Sequence, residues 1–344
     1  MTAPTVRFRD AQIEMAHGAG GKASRRLVEG LLAPLFGGPL LGPLGDAALL
    51  EVGSARVALT ADSFVVRPLR FPGGSIGELA VNGTVNDLAV SGAKPIALLV
   101  TLILEAGLSA EVLEVEIRAI AAAARRAGVT VVGGDTKVVE HGKADGMYIT
   151  TAGLGVVDGR VQCSPASVRP GDQILLSGPI GDHGITILLA RGDLDLEADL
   201  SSDTRPVYPL IERLIDAAAP GVRWMRDPTR GGVASALNEL AADARVGVVL
   251  FEEKIPVRDP VRGACELLGL EPMHIANEGQ FLAVLAPEFA EAGLAAVRAV
   301  PGGEGAVIIG EVRAEPARTV LAESAYGGRR VVDMLVGDPL PRIC

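Results

Sequence analysis

Residues 76–132 read IGELAVNGTVNDLAVSGAKPIALLVTLILEAGLSAEVLEVEIRAIAAAARRAGVTVV. Two apolar patterns alternate along this stretch. Ile76 to Val90 and Ser109 to Ala127 are long and amphipathic, as helices require; the second is alanine-rich from Ala119 to Arg126 and is stopped by Gly128. Pro95 to Leu104 and Val129 to Val132 are short apolar runs of strand type. Helix, strand, helix and strand in one continuous passage predict an α/β or α+β architecture.

The alternation continues on both sides. Strands are expected at Ala47 to Val52, Arg56 to Thr60, Met147 to Val157, Gln173 to Leu176, Phe281 to Leu285 and Ala306 to Val312. Helices are expected at Ser24 to Leu35, Pro206 to Ala218, Gly232 to Ala242, Val261 to Leu268 and Pro287 to Val300. Between Val157 and Gln173 the pattern lapses into the turn signals Asp158-Gly159 and Arg169-Pro170-Gly171-Asp172. A chain of 344 residues exceeds one typical core. Two domains are therefore expected, residues 1–158 and 159–335, followed by a tail at 336–344. The halves show no close sequence repeat.

Composition excludes several classes. Hydrophobic residues make up 49% of the chain, yet no apolar run approaches the ~20 residues needed to cross a bilayer. The stretch MTAPTVRFRDAQIEM carries charges where a signal peptide needs an apolar core, so a cytoplasmic protein is expected, with no membrane partner. A net charge of −10 opposes a basic nucleic-acid surface, and 3% aromatics oppose base stacking. Cys163, Cys265 and Cys344 are odd in number and lack a CxxC pair, against both a disulfide framework and structural zinc. Cys163 and Cys265 read as small core hydrophobes. An acidic protein that binds a polyphosphate must offset the repulsion locally, with glycine-loop N–H groups, a few lysines and metal ions.

Those features are present. His17-Gly-Ala-Gly-Gly-Lys22 precedes a predicted helix and could turn the N–H groups of Gly20 and Gly21 toward phosphate oxygens, with Lys22 adding charge. It is not a Walker A loop, because Ala16 and Ala23 stand where Gly and Ser or Thr are needed. Asp46, Asp62, Asp87, Asp135 and Asp227 sit at expected turns or strand ends, where each could cap a helix or make an Asx turn, and where as a set they suit magnesium. Asp227 could cap the helix starting near Gly232. Asn82 and Asn86 share one helix face, with Asp87 adjoining, and are out of pattern for a packing helix. Glu278 in Asn-Glu-Gly and Lys137, just after Gly133-Gly134-Asp135-Thr136, add a candidate base and a candidate cation. His183 reads as a turn residue, and with four histidines in the chain a histidine metal centre is not expected. The tail, VGDPLPRIC, carries Pro339 and Pro341, favours extended backbone, and could carry the Cys344 thiol roughly 30 Å.

In order along the chain, AHGAGGK, LGDAA, TADSFVV, FPGGSIGELAVNGTVNDLAVSGAKP, GGDTKVVE, SGPIGDHG, RDPTRGGV, VRGACELLGL, ANEG and PLPRIC together resemble the HypE hydrogenase maturation factors. That family lies in the superfamily of aminoimidazole ribonucleotide synthetase, selenophosphate synthetase and thiamine monophosphate kinase. A selenophosphate synthetase would carry a reactive cysteine near its glycine loop, whereas this chain has none before Cys163; the other branches lack a terminal PRIC.

The resemblance implies a two-domain aminoimidazole ribonucleotide synthetase-like fold. Its N-terminal sheet would form a homodimer interface, its C-terminal mixed sheet would be flanked by helices, and its C-terminal tail would be flexible. It implies that a carbamoyltransferase, HypF, loads a carboxamide on Cys344. The protein would then use ATP and Mg2+ to dehydrate it to S-cyanate and pass the nitrile to iron on a HypC and HypD complex. Metal and phosphate ligands would come from Asp46, Asp62, Asp87, Asp135 and Asp227, with Asn86 and Thr136 close by, and Lys137 and Glu278 would handle the carboxamide. The rival expectations are an ATP-dependent synthetase or kinase acting on a free small molecule, and a thiol carrier without turnover.

Overall fold

The computed structural model describes residues 7–36, 45–192, 198–335, 337, 340 and 342–344. Near the start, α1 (Lys22–Leu27) runs through a π-helical turn at Val28–Leu32 into α2 (Ala33–Phe36), where the sequence predicts a single helix. Strands β1 (Ala48–Val52) and β2 (Ala55–Phe64) follow, then a two-stranded ribbon of β3 (Arg70–Phe71) and β4 (Gly74–Ser75). Next come α3 (Ile76–Val90), β5 (Ala93–Glu105), α4 (Ala110–Ala127), β6 (Thr130–Val139) and β7 (Met147–Val157). The first sheet has the order β1-β2-β7-β5-β6, with only the β5–β6 pair parallel. Helix α4 begins where the Ser109 hydroxyl accepts the Glu111 N–H and ends at Gly128, whose φ of 68° is the left-handed geometry glycine adopts freely.

Sheet one is covered on one face only. Met147, Ile149 and Thr151 alternate into the core against α3, while Leu154, Val156, Leu59 and Leu99 face outward and stay exposed. Nearly every residue of α3 is buried, because the sheet, α4 and a helix of the second half pack around it. That explains its weak amphipathicity, and it makes Asn82, Thr84 and Asn86 buried polar residues that need partners.

The second half contains β8 (Gln173–Leu176), α5 (Asp182–Ala190), α6 (Tyr208–Ala218), β9 (Val222–Arg226), α7 (Gly232–Ala244) and β10 (Gly247–Phe251). It continues with α8 (Asp259–Leu268), β11 (Leu282–Leu285), α9 (Pro287–Arg298), β12 (Val307–Arg313), β13 (Thr319–Glu323) and β14 (Arg329–Val331). Its sheet runs β14-β13-β10-β12-β8-β11-β9 and is mixed, with β10 and β13 parallel. In β8, Ile174 and Leu176 join the cluster beneath α7, whereas Leu175 joins the one beneath α6 and α9. Both faces are therefore buried, which is why these strands read as continuous apolar runs.

Three expectations are corrected. The strand expected to end at Val132 continues to Val139, so Gly133 to Lys137 lie on an edge strand and not in a turn. A Cβ at Gly134 would sit 1.7 Å from the Val100 carbonyl oxygen, so glycine there lets β6 lie close against β5. His183 is on α5, fully buried, where a turn is expected from the sequence. Asp227 does not cap α7, which begins from Gly231 with no side-chain cap.

Of the described residues in the C-terminal segment, 340 and 342–344 are docked against the first half. Leu340 and Ile343 are buried, Val65 N–H donates to the Cys344 carbonyl at 3.0 Å, and Arg67 N–H donates to the Arg342 carbonyl at 3.3 Å. Apolar burial and main-chain pairing with residues 65–67 hold it. Pro339 and Pro341 lie outside the described residues.

Candidate active site

Four carboxylates meet between the two halves. Asp62 lies near the end of β2 on the face that looks at α3, Asp87 lies on α3, Asp46 precedes β1, and Asp227 follows β9. One ligand oxygen from each of Asp46, Asp87 and Asp227 lies within 4.8 Å of the others. Thr60 Oγ1 is 2.8 Å from Asp87 Oδ2 and 2.8 Å from the Asp46 carbonyl oxygen. Thr84 donates to Asp62 Oδ2 at 3.0 Å. The Arg226 guanidinium contacts Asp46 Oδ1 at 2.7 Å and Glu239 Oε2 at 2.8 Å.

Burial and mutual repulsion leave this group short of positive charge. Desolvation pushes the Asp46 carboxyl up to about 6 against the pull of Arg226. Asp87 is raised well above the ordinary range by burial, then by the charges of Asp227, Asp62 and Asp46. Asp227 is raised likewise, by burial and then by Asp46. Desolvation also raises Asp62, which hydrogen bonds to Thr84 and Asp87 oppose. Converging carboxylate oxygens with one arginine among them fit a hard divalent cation such as Mg2+, which takes oxygen ligands from a few carboxylates and a substrate's phosphates.

Glu278 borders the same cleft. It is buried, and desolvation, followed by the charges of Asp227, Asp203 and Asp62, raises its carboxyl well above the usual range while Arg230 pulls it down. Its backbone N–H donates to Asp203 Oδ1 at 3.0 Å. Arg230 also reaches the glycine loop, donating from Nη1 to the Gly18 carbonyl at 2.5 Å. Beside it lies a pocket of about 150 Å³ lined by residues that include Gly18, Ala19, Ser63, Arg230, Ile343 and Cys344. The terminal thiol and the glycine loop thus share one cavity. Arg342, which lines the same pocket, pairs with Asp145 and donates to the Val65 carbonyl.

Other residues singled out by sequence lie elsewhere or are already bonded. Gly20 has φ +74°, and a Cβ there would sit 2.8 Å from Arg230; a Cβ on Gly21 would sit 2.6 Å from the Leu335 carbonyl. Lys22 pairs with Asp333 at 2.6 Å. The Asn86 amide donates to the Arg205 and Glu278 carbonyls at 3.0 and 3.1 Å and accepts the Val207 N–H at 2.8 Å, joining the two halves. Asp135 bonds Lys137 at 2.5 Å and the Thr136 N–H at 2.8 Å, all exposed on β6 with Gly133. Strand β6 is three strands from β2, or roughly 14 Å. Within one chain, then, Asp135, Thr136 and Lys137 do not join the other four aspartates. Sequence reading missed Arg226, Arg230, Thr60, Thr84 and Asp203. The arginines had a signal, since they flank Asp227 in RDPTR.

The two sheet-bearing halves are the two domains of the AIR synthase related proteins: the N-terminal domain model of that group matches residues 44–157 and the C-terminal domain model matches 169–322. The carbamoyl dehydratase HypE of Azotobacter vinelandii is 51% identical over 337 residues, 98% of each chain. Among solved structures, a HypE–HypF complex matches with a TM-score of 0.85 at 42% identity, over 90% of this chain and 99% of that one. The hydrogenase maturation protein HypE in complex with ATP matches with a TM-score of 0.80 at 44% identity, over 97% of this chain and all (100%) of that one. The chain belongs to the HypE family of carbamoyl dehydratases.

Proposed function

We propose that the protein dehydrates a carboxamide carried on its own Cys344 to a thiocyanate, driven by ATP. The observation that carries this reading is the placement of Cys344 in the pocket beside the glycine loop and Arg230, next to the four-carboxylate cleft. The balanced reaction converts R–S–C(=O)NH2 and ATP into R–S–C≡N, ADP and phosphate. The amide oxygen leaves within phosphate, and both N–H protons leave nitrogen.

An unactivated amide oxygen is a poor leaving group, and ATP supplies the phosphoryl group that makes it a good one. Asp46, Asp87 and Asp227, with Asp62 behind them, would hold Mg2+, which when bound supplies charge for the phosphate oxygens and relieves the carboxylates' mutual repulsion. The docked segment fixes Cys344 through the Val65 N–H bond, converting a mobile substituent into a positioned one. Arg230, shared between the glycine loop and Glu278, places positive charge where oxygen charge develops. Glu278 takes a proton from the carboxamide nitrogen, a role that suits a buried carboxyl whose proton affinity burial has raised.

Lys137 enters through a second copy of the chain. The uncovered face of the first sheet exposes Leu59, Leu99, Leu154 and Val156 in one patch, with Val132 and Val138 exposed on β6. A patch of this kind supports a homodimer. Pairing there would carry Asp135, Thr136 and Lys137 of one protomer to its partner, Lys137 serving as the cation that steadies the reacting carboxamide. HypF, seen with the related HypE, is proposed as the loading partner, and an iron-bearing HypC and HypD complex as the acceptor of the nitrile. Among the described residues no helix is long and apolar enough to cross a membrane.

The test is intact mass after incubation with HypF, carbamoyl phosphate and ATP. Gain of one carbamoyl group at Cys344, then loss of one water on adding Mg-ATP, supports the reading. Loading without water loss would favour a carrier, and absence of loading would favour a small-molecule synthetase.

A further inference from the structure

Two side chains also hold the C-terminal segment: Arg191 donates to the Arg342 carbonyl at 2.9 Å, and His183 reaches the residue next to the thiol. His183, fully buried on α5, places Nε2 2.7 Å from the Ile343 carbonyl oxygen and Nδ1 2.8 Å from Ser202 Oγ. A carbonyl oxygen can only accept, so the Nε2 atom carries a proton and donates. With the ring neutral, Nδ1 accepts, and the Ser202 hydroxyl donates to it. Ser202 Oγ in turn accepts the Thr204 N–H at 3.1 Å. The Phe71 ring stands edge-on to the imidazole, with centroids 5.7 Å apart, and closes its other side. Ring orientation is thus set by Ser202 and Phe71, which lie outside the tail, while the Ile343 carbonyl selects the tautomer.

The strap that sets His183 also sets the cleft. Asp203 accepts the Glu278 N–H, Thr204 Oγ1 accepts from Asn82 at 3.1 Å, and the Arg205 carbonyl accepts from Asn86. Residues 202–205 therefore link the side chain that grips the tail to the backbone of the proposed base.

We propose that His183, oriented by Ser202, is the positioning residue that docks the C-terminal segment one residue before its thiol and holds the loaded cysteine in the cleft during dehydration. The inference deepens the reading of Cys344 as the carrier and rests on it. When the segment leaves, the Nε2–H is left buried without its acceptor, which favours return. Each lost buried bond of this kind shifts the docked population by roughly tenfold or more.

The experiment uses the full chain. Cys344 alkylation by iodoacetamide, followed by mass of the C-terminal peptide, should speed up about tenfold in His183→Ala. His183→Gln, which keeps an N–H donor, should recover most of the protection. Ser202→Ala, which removes the bond that orients the ring without opening a large cavity, should give a severalfold increase and serves if His183→Ala does not fold. In single-turnover dehydration of preloaded protein, His183→Ala should lower the rate in step with the lost docking while the KM for ATP and the loading by HypF stay unchanged. Wild-type alkylation rates in the folded variants overturn the inference. Failure of wild-type protein to accept a carboxamide would overturn the carrier reading instead, and the alkylation result would still report on docking.

Discussion

Replacing Asp87 by Asn should separate stability from function in opposite directions. Asp87, Asp46 and Asp227 bring ligand oxygens within 4.8 Å of one another. Two full charges at that separation repel by roughly 3.5 kcal/mol at an effective dielectric constant of about 20. Asp87 takes part in two such pairs. Arg226 and retained protons relieve a portion of the cost, so removing this carboxylate should stabilise the metal-free fold by about 1–3 kcal/mol at about pH 8. The amide introduced by Asp87→Asn would keep an oxygen to accept from Thr60, so that hydroxyl keeps its partner. Thermal unfolding in EDTA should show a melting temperature a few degrees above wild type. The same substitution should abolish the further rise that Mg2+ gives the wild type and should leave dehydration undetectable. A variant that melts lower than wild type in EDTA, or one that keeps the Mg2+ response, would refute the reading of this cleft as a repulsive, cation-seeking set.

The acids give a pH signature of known sign. A carboxyl raised in the folded state favours folding at low pH, and that contribution is lost as pH climbs from the ordinary value through the raised one, which for Asp46 is about 6. Mg2+ competes with those protons, so its stabilising shift in melting temperature should be larger at about pH 8 than at about pH 5. Glu278→Gln should fold and bind ATP but lose about 10²–10⁴-fold in dehydration rate, and wild-type turnover would remove Glu278 from the mechanism. Cys344→Ala should accept no carboxamide while binding ATP normally, as checked by intact mass and calorimetry. Leu99→Glu or Leu154→Glu, each placing a charge on the uncovered sheet face, should yield monomers by light scattering and lower dehydration; an active monomer would exclude a role for the partner's β6.

Several elements were legible in the sequence because their determinants are local. The end of α4 at Gly128 follows from its apolar spacing and one left-handed residue. Strands β7 and β8 follow from runs bounded by turn residues. Strands β9, β10, β13 and β14 were not predicted, and neither was α5, because SGPIGDHG reads as a turn until its glycines are seen packed against Val261 and Ile275. A buried helix can dispense with amphipathic spacing when neighbours surround it.

Among the candidate site residues, the sequence by itself determined which side chains could do the chemistry: the aspartates beside glycines and strand ends, Glu278 before β11, and a thiol on the last residue. Only the tertiary structure decided which of them meet. Asp46, Asp62, Asp87 and Asp227 converge because α3 is sandwiched between the halves, and Asn86 is consumed in joining them. Asp135 and Lys137 stay on an exposed edge because β6 closes the far side of the sheet. The tail reads as a mobile arm because proline and polar spacing record only local preference. Its docking comes from donors at Val65, Arg67, His183 and Arg191, which lie far from it along the chain and reach it only through folding.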